Sequence, residues 1–275
     1  MIGVIELLIL ALTTFLVGIV ASMVGIGGGF LGVPILILLL SVPPHQAVGT
    51  SLTMCVFTAL SSTIAYARQR RIDYRVGLVL ALGTVPGAIS GAYITRYVSA
   101  GDLTALFGIF LIGVALRMMM APGGRTQRDG GAFSVSGGWR RRIVDSGGQV
   151  FEYTVNVPLA ALMGFLGGLS SGFFGVGGGA VLVPIMRLLL GIPMHITVAI
   201  SMFTMIFTTS SGVTTHMLMG NVILHYAVCM AAGVIAGAQL GASIARRLKA
   251  RRLEVIFGIF LVIIGLRMVL KAFLA

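Results

Sequence analysis

The sequence predicts an all-α polytopic membrane protein made of two homologous, inverted repeats, with eight to ten transmembrane segments and a broken glycine-proline hairpin in each repeat. Three observations carry this reading. The chain is far more apolar than a soluble domain: 57% of its 275 residues are hydrophobic and 9% charged, with a mean hydropathy of +1.07, against about 25% charged residues in soluble domains. It matches itself at an offset of 150 residues. Finally, the basic residues of matching loops swap places between the two copies.

Stretches almost free of charge run over 7–42, 47–67, 76–95, 103–116, 155–186, 196–215, 226–245 and 255–266. A helix needs about 20 apolar residues to cross a bilayer, and the shorter windows gain support from their neighbours. The opening MIGVIELLILAL has no Lys or Arg, so it reads as the start of the first helix and not as a cleaved leader. A net charge of +12 would suggest nucleic acid in a soluble protein. Here the basic residues gather in short loops and one linker, which fits topology and contact with anionic lipid, and no nucleic-acid partner is expected. Cys55 and Cys229 lie in apolar spans without a CxxC motif or a histidine cluster. They read as buried small hydrophobes, and no disulfide, metal site or cofactor is expected.

In the self-match, Gly25 falls on Gly175, Pro34 on Pro184, Pro43 on Pro193, His45 on His195, Ser51 on Ser201, Thr58 on Thr208 and Arg96 on Arg246. The stretch FGIFLIGVALRM at 107–118 falls on FGIFLVIIGLRM at 257–268. Such a gapless correspondence marks a duplicated membrane module. The chain divides into a first transmembrane repeat at 1–118, a polar basic linker at 119–154 and a second repeat at 155–275. The linker's RRIVDSGGQVFEYTV alternates about a glycine turn, the pattern of a small β-hairpin. A plain connector is preferred to a regulatory module.

Basic residues in short loops mark the cytoplasmic side. Loop 68–75 (RQRRIDYR) is rich in arginine, whereas its counterpart 218–225 has no Lys or Arg; loop 96–102 has Arg96 alone, whereas 246–252 (RRLKARR) is strongly basic. The matching loops therefore face opposite sides, and the linker is cytoplasmic. Residues 1–42 as one helix would reach about 63 Å at 1.5 Å per residue, about twice a 30 Å hydrocarbon core, so the segment turns back at its glycines. That gives five passes per copy. An eight-span arrangement with parallel repeats ranks second, because it would place RRLKARR outside.

Irregular backbone at membrane depth is tolerated only where protein or water surrounds it, so GIGGGFLGVP and its twin GVGGGAVLVP are interior features. Glycines let backbone approach a ligand, and consecutive N–H groups at the start of a short helix attract an anion. The candidate substrate-binding residues are accordingly Gly25, Gly27, Gly28, Gly29 and Pro34 with Gly175, Gly177, Gly178, Gly179 and Pro184. Two such turns meeting at the repeat interface would hold a small anion. The competing role, tight helix packing, is assigned to Gly83, Gly87 and Gly91 and their partners Gly233, Gly237 and Gly241, whose spacing is four.

His45 and His195 follow the short arms and could gate, cap or bind the anion when protonated. The next helix of each copy carries hydroxyls, of which Ser51 and Ser201 are the preferred path-lining groups; self-capping of the helix backbone is the plainer role for the others. Arg187 binds the anion or snorkels to the surface. Glu6 is the one acid well inside a span, so the spans offer almost none of the carboxylates usual in proton or sodium coupling. Anion efflux is compatible with an inside-negative potential, which supplies about 2.3 kcal/mol per charge per 100 mV. The residues leave direction, coupling ion and oligomeric state open. An anion channel and, further behind, an intramembrane enzyme with a glycine oxyanion hole are the alternatives; the enzyme would need a nucleophile or metal that the chain does not offer.

VGIGGGFLGVPIL, VPPHQAVGTSL and their twins FGVGGGAVLVPIM and IPMHITVAISM resemble the TauE/SafE family of membrane permeases over nearly the whole chain outside the linker. The resemblance implies an exporter or permease, not an enzyme, for sulfite, sulfonates and related small sulfur anions in a bacterial inner membrane. The linker is longer than a connector in that family needs.

Overall fold

The computed structural model describes residues 4–120, 138–245 and 262–271. The loop 246–252, Arg125, Arg128 and part of the twelve-residue match at 257–268 lie outside the described residues. In the first repeat, α1 (Val4–Val24) is followed by a glycine turn, a short α2 (Gly29–Leu38), α3 (Pro44–Arg68), α4 (Tyr74–Ile94), a 3-10 turn (Thr95–Tyr97) and α5 (Ala100–Met120). The linker contributes β1 (Trp139–Val144) and β2 (Val150–Val155). The second repeat gives α6 (Val157–Phe174), the short α7 (Gly179–Leu188), α8 (Met194–Leu218) and α9 (Leu224–Ile244), and residues 262–271 are again helical. Among the described residues, five helices are long and apolar enough to cross a membrane: α3, α4, α6, α8 and α9.

Local chemistry sets the element ends. Pro44 opens α3, where its missing N–H costs nothing and its fixed φ suits the first helical position. Asp73 caps α4 by accepting from Val76 N–H, and Asn156 caps α6 by accepting from Leu159 N–H. α1 stops because Gly25, Gly27 and Gly28 adopt φ of +83°, +92° and +84°, a left-handed path open to glycine at little cost. The twin turn repeats it, with Gly175, Gly177 and Gly178 at +74°, +80° and +85°.

The two repeats are interleaved. Gly83, Gly87 and Gly91 of α4 lie directly against the α6 backbone at Ala161, Phe165 and Leu169, and Gly233, Gly237 and Gly241 of α9 lie in the same way against Ala11, Phe15 and Ile19 of α1. Each contact is the other moved by 150 residues, as the four-residue spacing predicts for close helix packing. The ascending order makes α4 parallel to α6 and α9 parallel to α1. Thr50 and Ser61 of α3 bond Ile223 and Ile235 in ascending order too, so α3 runs with α9. α3 and α8 run oppositely: Gly49 faces His216 and Asn221, while Leu52 faces Gly212. Leu12, Leu82, Leu162 and Leu224 stay exposed on the outer helices, the surface that lipid covers.

The hairpin is present, with Trp139 opposite Val155 and Val144 opposite Val150. Phe151, Tyr153 and Val155 turn inward and join a core with Val76, Leu80, Leu182, Ile192 and Ile196. The linker is thus docked on one end of the helix assembly.

Candidate functional site

The two glycine turns meet. A Cβ at Gly29 would overlap the Gly175 carbonyl oxygen, and one at Gly179 would overlap the Gly25 carbonyl oxygen. Ser201 Oγ donates to Gly25 O at 2.8 Å, and Ser51 Oγ donates to Gly175 O at 3.2 Å and to Gly29 O at 3.3 Å. The two cross-repeat bonds are related by the same 150-residue shift. Between the turns sit another matched pair, Cys55 and Met205: Cys55 Sγ is 3.9 Å from Gly175 O, and Met205 Cε fills the space that side chains at Gly27 or Gly177 would need.

All eight turn glycines, Ser51 and Ser201 are buried. Pro34 is buried within α2 and Pro184 is part-buried within α7. The first N–H groups of α2 and α7 have no intrahelical acceptor, and the positive ends of both helix dipoles lie at the turns. At the far ends a cation stands near each carbonyl terminus. Lys271 Nζ donates to Ile37 O of α2 at 2.9 Å, and Arg187 occupies the last turn of α7.

Two side chains beside the turns escaped sequence reasoning. Ser171, in the last turn of α6, is fully buried and its hydroxyl has no hydrogen-bond partner among the described residues; its Cβ lies against Gly178. The repeat register hides it, because its counterpart is Ala21. His216 of α8 is also fully buried, with Nε2 2.9 Å from Gly172 O. Its counterpart is Tyr66, whose hydroxyl donates to Ser22 O at 2.8 Å. Ser22 and Gly172 are themselves 150 apart, so the register holds a signal, but one disguised by the change of residue type.

The structure does not bring His45 and His195 to the turns. His45 Nε2 lies 3.0 Å from Thr95 O and 3.1 Å from Val98 O; with carbonyls on both sides this nitrogen carries the hydrogen. Ser51 is six residues further along α3, about 9 Å. With Arg96, Leu218, Met219 and Asn221, His45 lines a cleft of about 510 Å³. His195 is exposed at the opposite end. Of the remaining hydroxyls, Thr58 and Thr209 bond their own helix, while Ser61, Thr204 and Thr208 tie neighbouring helices together.

The end near His195 is closed by the hairpin. Arg141 grips Asp73 with two bonds of 2.7 and 2.9 Å, and Tyr153 donates to Asp73 at 2.7 Å. Arg71 reaches Asp145 at 2.9 Å, and Ser146 N–H donates to Gln69 O at 2.9 Å. Burial alone would raise the pKa of Asp73, but the bonds from Arg141, Tyr153 and Val76 N–H hold it below the ordinary value. Asp145 is likewise lowered: burial opposes, and Arg71 with the Gln149 and Gly147 N–H groups prevails. Asn221, which lines the open cleft, is the counterpart of Arg71.

Comparison with known proteins places the chain. A family profile described as Sulfite exporter TauE/SafE matches residues 10–268. The chain is 35% identical over 272 residues to the probable membrane transporter protein YunE of Bacillus subtilis, covering 95% of this chain and 96% of that one. A probable membrane transporter protein of Methanocaldococcus jannaschii is 27% identical, covering 95% of each chain. No solved structure matches. Among the described residues no group of His, Cys, Asp and Glu could hold a metal.

Proposed function

The chain belongs to the Sulfite exporter TauE/SafE family, and from that premise we propose that it is a secondary transporter of small sulfur-containing anions, sulfite or organosulfonates. It works by alternating access at the interface of two inverted repeats in a bacterial inner membrane, with the linker cytoplasmic. The observation that carries this reading is the reciprocal bonding of the glycine turns, Ser51 to Gly175 O and Ser201 to Gly25 O. A joint shared equally by both halves is where a rocking motion of one against the other opens to either face. The opposed directions of α3 and α8 support a symmetry axis lying in the membrane plane.

The anion is held at the start of α7. Ser171 supplies a buried hydroxyl that has no other partner among the described residues, beside the N–H groups and dipole of a ten-residue helix. In the conformation described here the turns are packed against each other, which is an occluded arrangement; binding needs the halves to part.

Purified protein in liposomes should move radiolabelled sulfite or a sulfonate with saturable kinetics and counterflow, behaviour that a channel lacks. Replacing Gly28 and Gly178 together by leucine should abolish that flux. Intact transport in the double variant would overturn the glycine site.

A further inference from the structure

His216 sets one ring nitrogen against a backbone carbonyl and the other against a side chain of the cleft. Its Nε2 is fixed against the Gly172 carbonyl at 2.9 Å, so Nε2 carries hydrogen and the lone pair of the neutral ring is on Nδ1. Nδ1 faces the side-chain amide of Asn221 at 3.5 Å. Asn221 in turn lines the cleft shared by His45 and Arg96. A proton that passes Asn221 from the cleft is taken up at Nδ1, and turning the Asn221 amide over presents its oxygen to the new Nδ1–H.

The first repeat makes the same tie with different chemistry. Tyr66, the counterpart of His216, donates to Ser22 O, the counterpart of Gly172 O. A phenol ordinarily titrates near 10, whereas imidazole titrates near 6.5, so of these two counterparts His216 is the one able to change charge. Gly172 lies three residues before Gly175, where the second glycine turn begins. A charge on His216 thus acts on the backbone leading into the anion site. The ionisable groups that face it are few: His45 from α3 acts on it, Arg96 stands across the cleft, and α6 carries no ionisable group. No carboxylate among the described residues pairs with it, so the charged ring is held only against the cost of burial and gives its proton up readily.

We propose that His216 is the proton-coupling residue of this transporter, loaded through Asn221 from the cleft on the face opposite the hairpin, an inference that rests on the transporter reading above. Protonation forms an N–H bond at Nδ1 with a proton drawn from cleft water, and its loss returns the proton by the same route.

The test uses full-length protein in liposomes and isethionate, a strong-acid sulfonate that carries no titrating proton of its own. In wild type, the isethionate flux should respond to an imposed pH gradient by up to about tenfold per unit above the histidine midpoint, because the protonated fraction falls tenfold per unit there. His216→Tyr, the residue used by the first repeat, should transport without that response. His216→Gln, which keeps an N–H for Gly172 O, serves if the tyrosine variant does not fold. Asn221→Leu should slow the response with His216 intact. In parallel, ring-labelled histidine NMR in nanodiscs should show the resonance lost in His216→Gln changing protonation state as the pH is lowered. If that resonance stays neutral throughout, or if both His216 variants keep the wild-type response, the proposal fails. If wild type moves neither isethionate nor sulfite while His216 titrates, the transporter reading fails and the proton site stands.

Discussion

Gly28 and Gly29 are neighbours in sequence with different burdens. A side chain at Gly28 would meet Met54, Val17 and Ala21 at 3.3–3.4 Å, groups that can yield, and its cost is the left-handed φ of +84°, about 1–2 kcal/mol. A side chain at Gly29 would meet the Gly175 carbonyl and Val176 backbone, which can yield only if the two turns part. Gly29→Ala should therefore cost about 3 kcal/mol or more and lower the thermal midpoint in detergent more than Gly28→Ala does; equal losses would contradict the contact. Ser171 gives the opposite kind of test. Removing a buried hydroxyl that has no partner is nearly neutral for stability, whereas a hydrogen bond to a charged group is worth about 1.5–3 kcal/mol. Ser171→Ala should leave the thermal midpoint unchanged and raise the half-saturating sulfite concentration about ten- to a hundredfold.

The hairpin is the element whose existence the residues announce and whose place they do not. DSGG between alternating stretches specified the strands, and Asp145 organises the turn by accepting from Gly147 and Gln149 N–H. Nothing local says that Arg141 will find Asp73, 68 positions away. The glycine breaks were legible for the same local reason, as a left-handed path that few other residues tolerate. The surroundings of His45 and His195 were less so, because their twinned positions lie at ends made unlike by the hairpin. Asp73 and Asp145 have folded pKa values below the ordinary 3.9. Their contribution to docking is therefore complete above about pH 3.9 and is lost as pH falls through the depressed values. Trp139, the one tryptophan of the chain, lies under Arg141 at 4.8 Å, so its emission should shift as the hairpin undocks below about pH 4. Asp73→Asn keeps a capping oxygen for Val76 N–H but loses the charge. Because Arg141 is 16% exposed, the docking loss should be about 2 kcal/mol, less than for a fully buried pair, read as faster amide exchange in β1 and β2.

At the scale of the molecule, the offset of 150 residues announced two copies but not how they are assembled. Two modules standing side by side and two modules threaded through each other have the same self-match, since periodicity records kinship and not contact. The structure has the threaded arrangement: α1 leans on α9 and α6 on α4, each through glycines that bring backbones together. Neither copy keeps its own first helix against its own fourth. In lipid, where apolar side chains gain nothing by leaving one greasy surface for another, such close backbone packing is what holds helices together. A half expressed alone thus lacks the surface that its first and fourth helices need, and its glycine carbonyls lose the serine donors of the other half. Residues 1–120 and 138–275 produced separately should each be degraded or aggregate. Produced together as two chains, they should co-purify, because the break falls in the linker and leaves every interleaved helix pair intact, with the hairpin of the second chain clamping Asp73 of the first. Stable accumulation of either half alone would mean that the repeats are self-sufficient and that the threading contributes little.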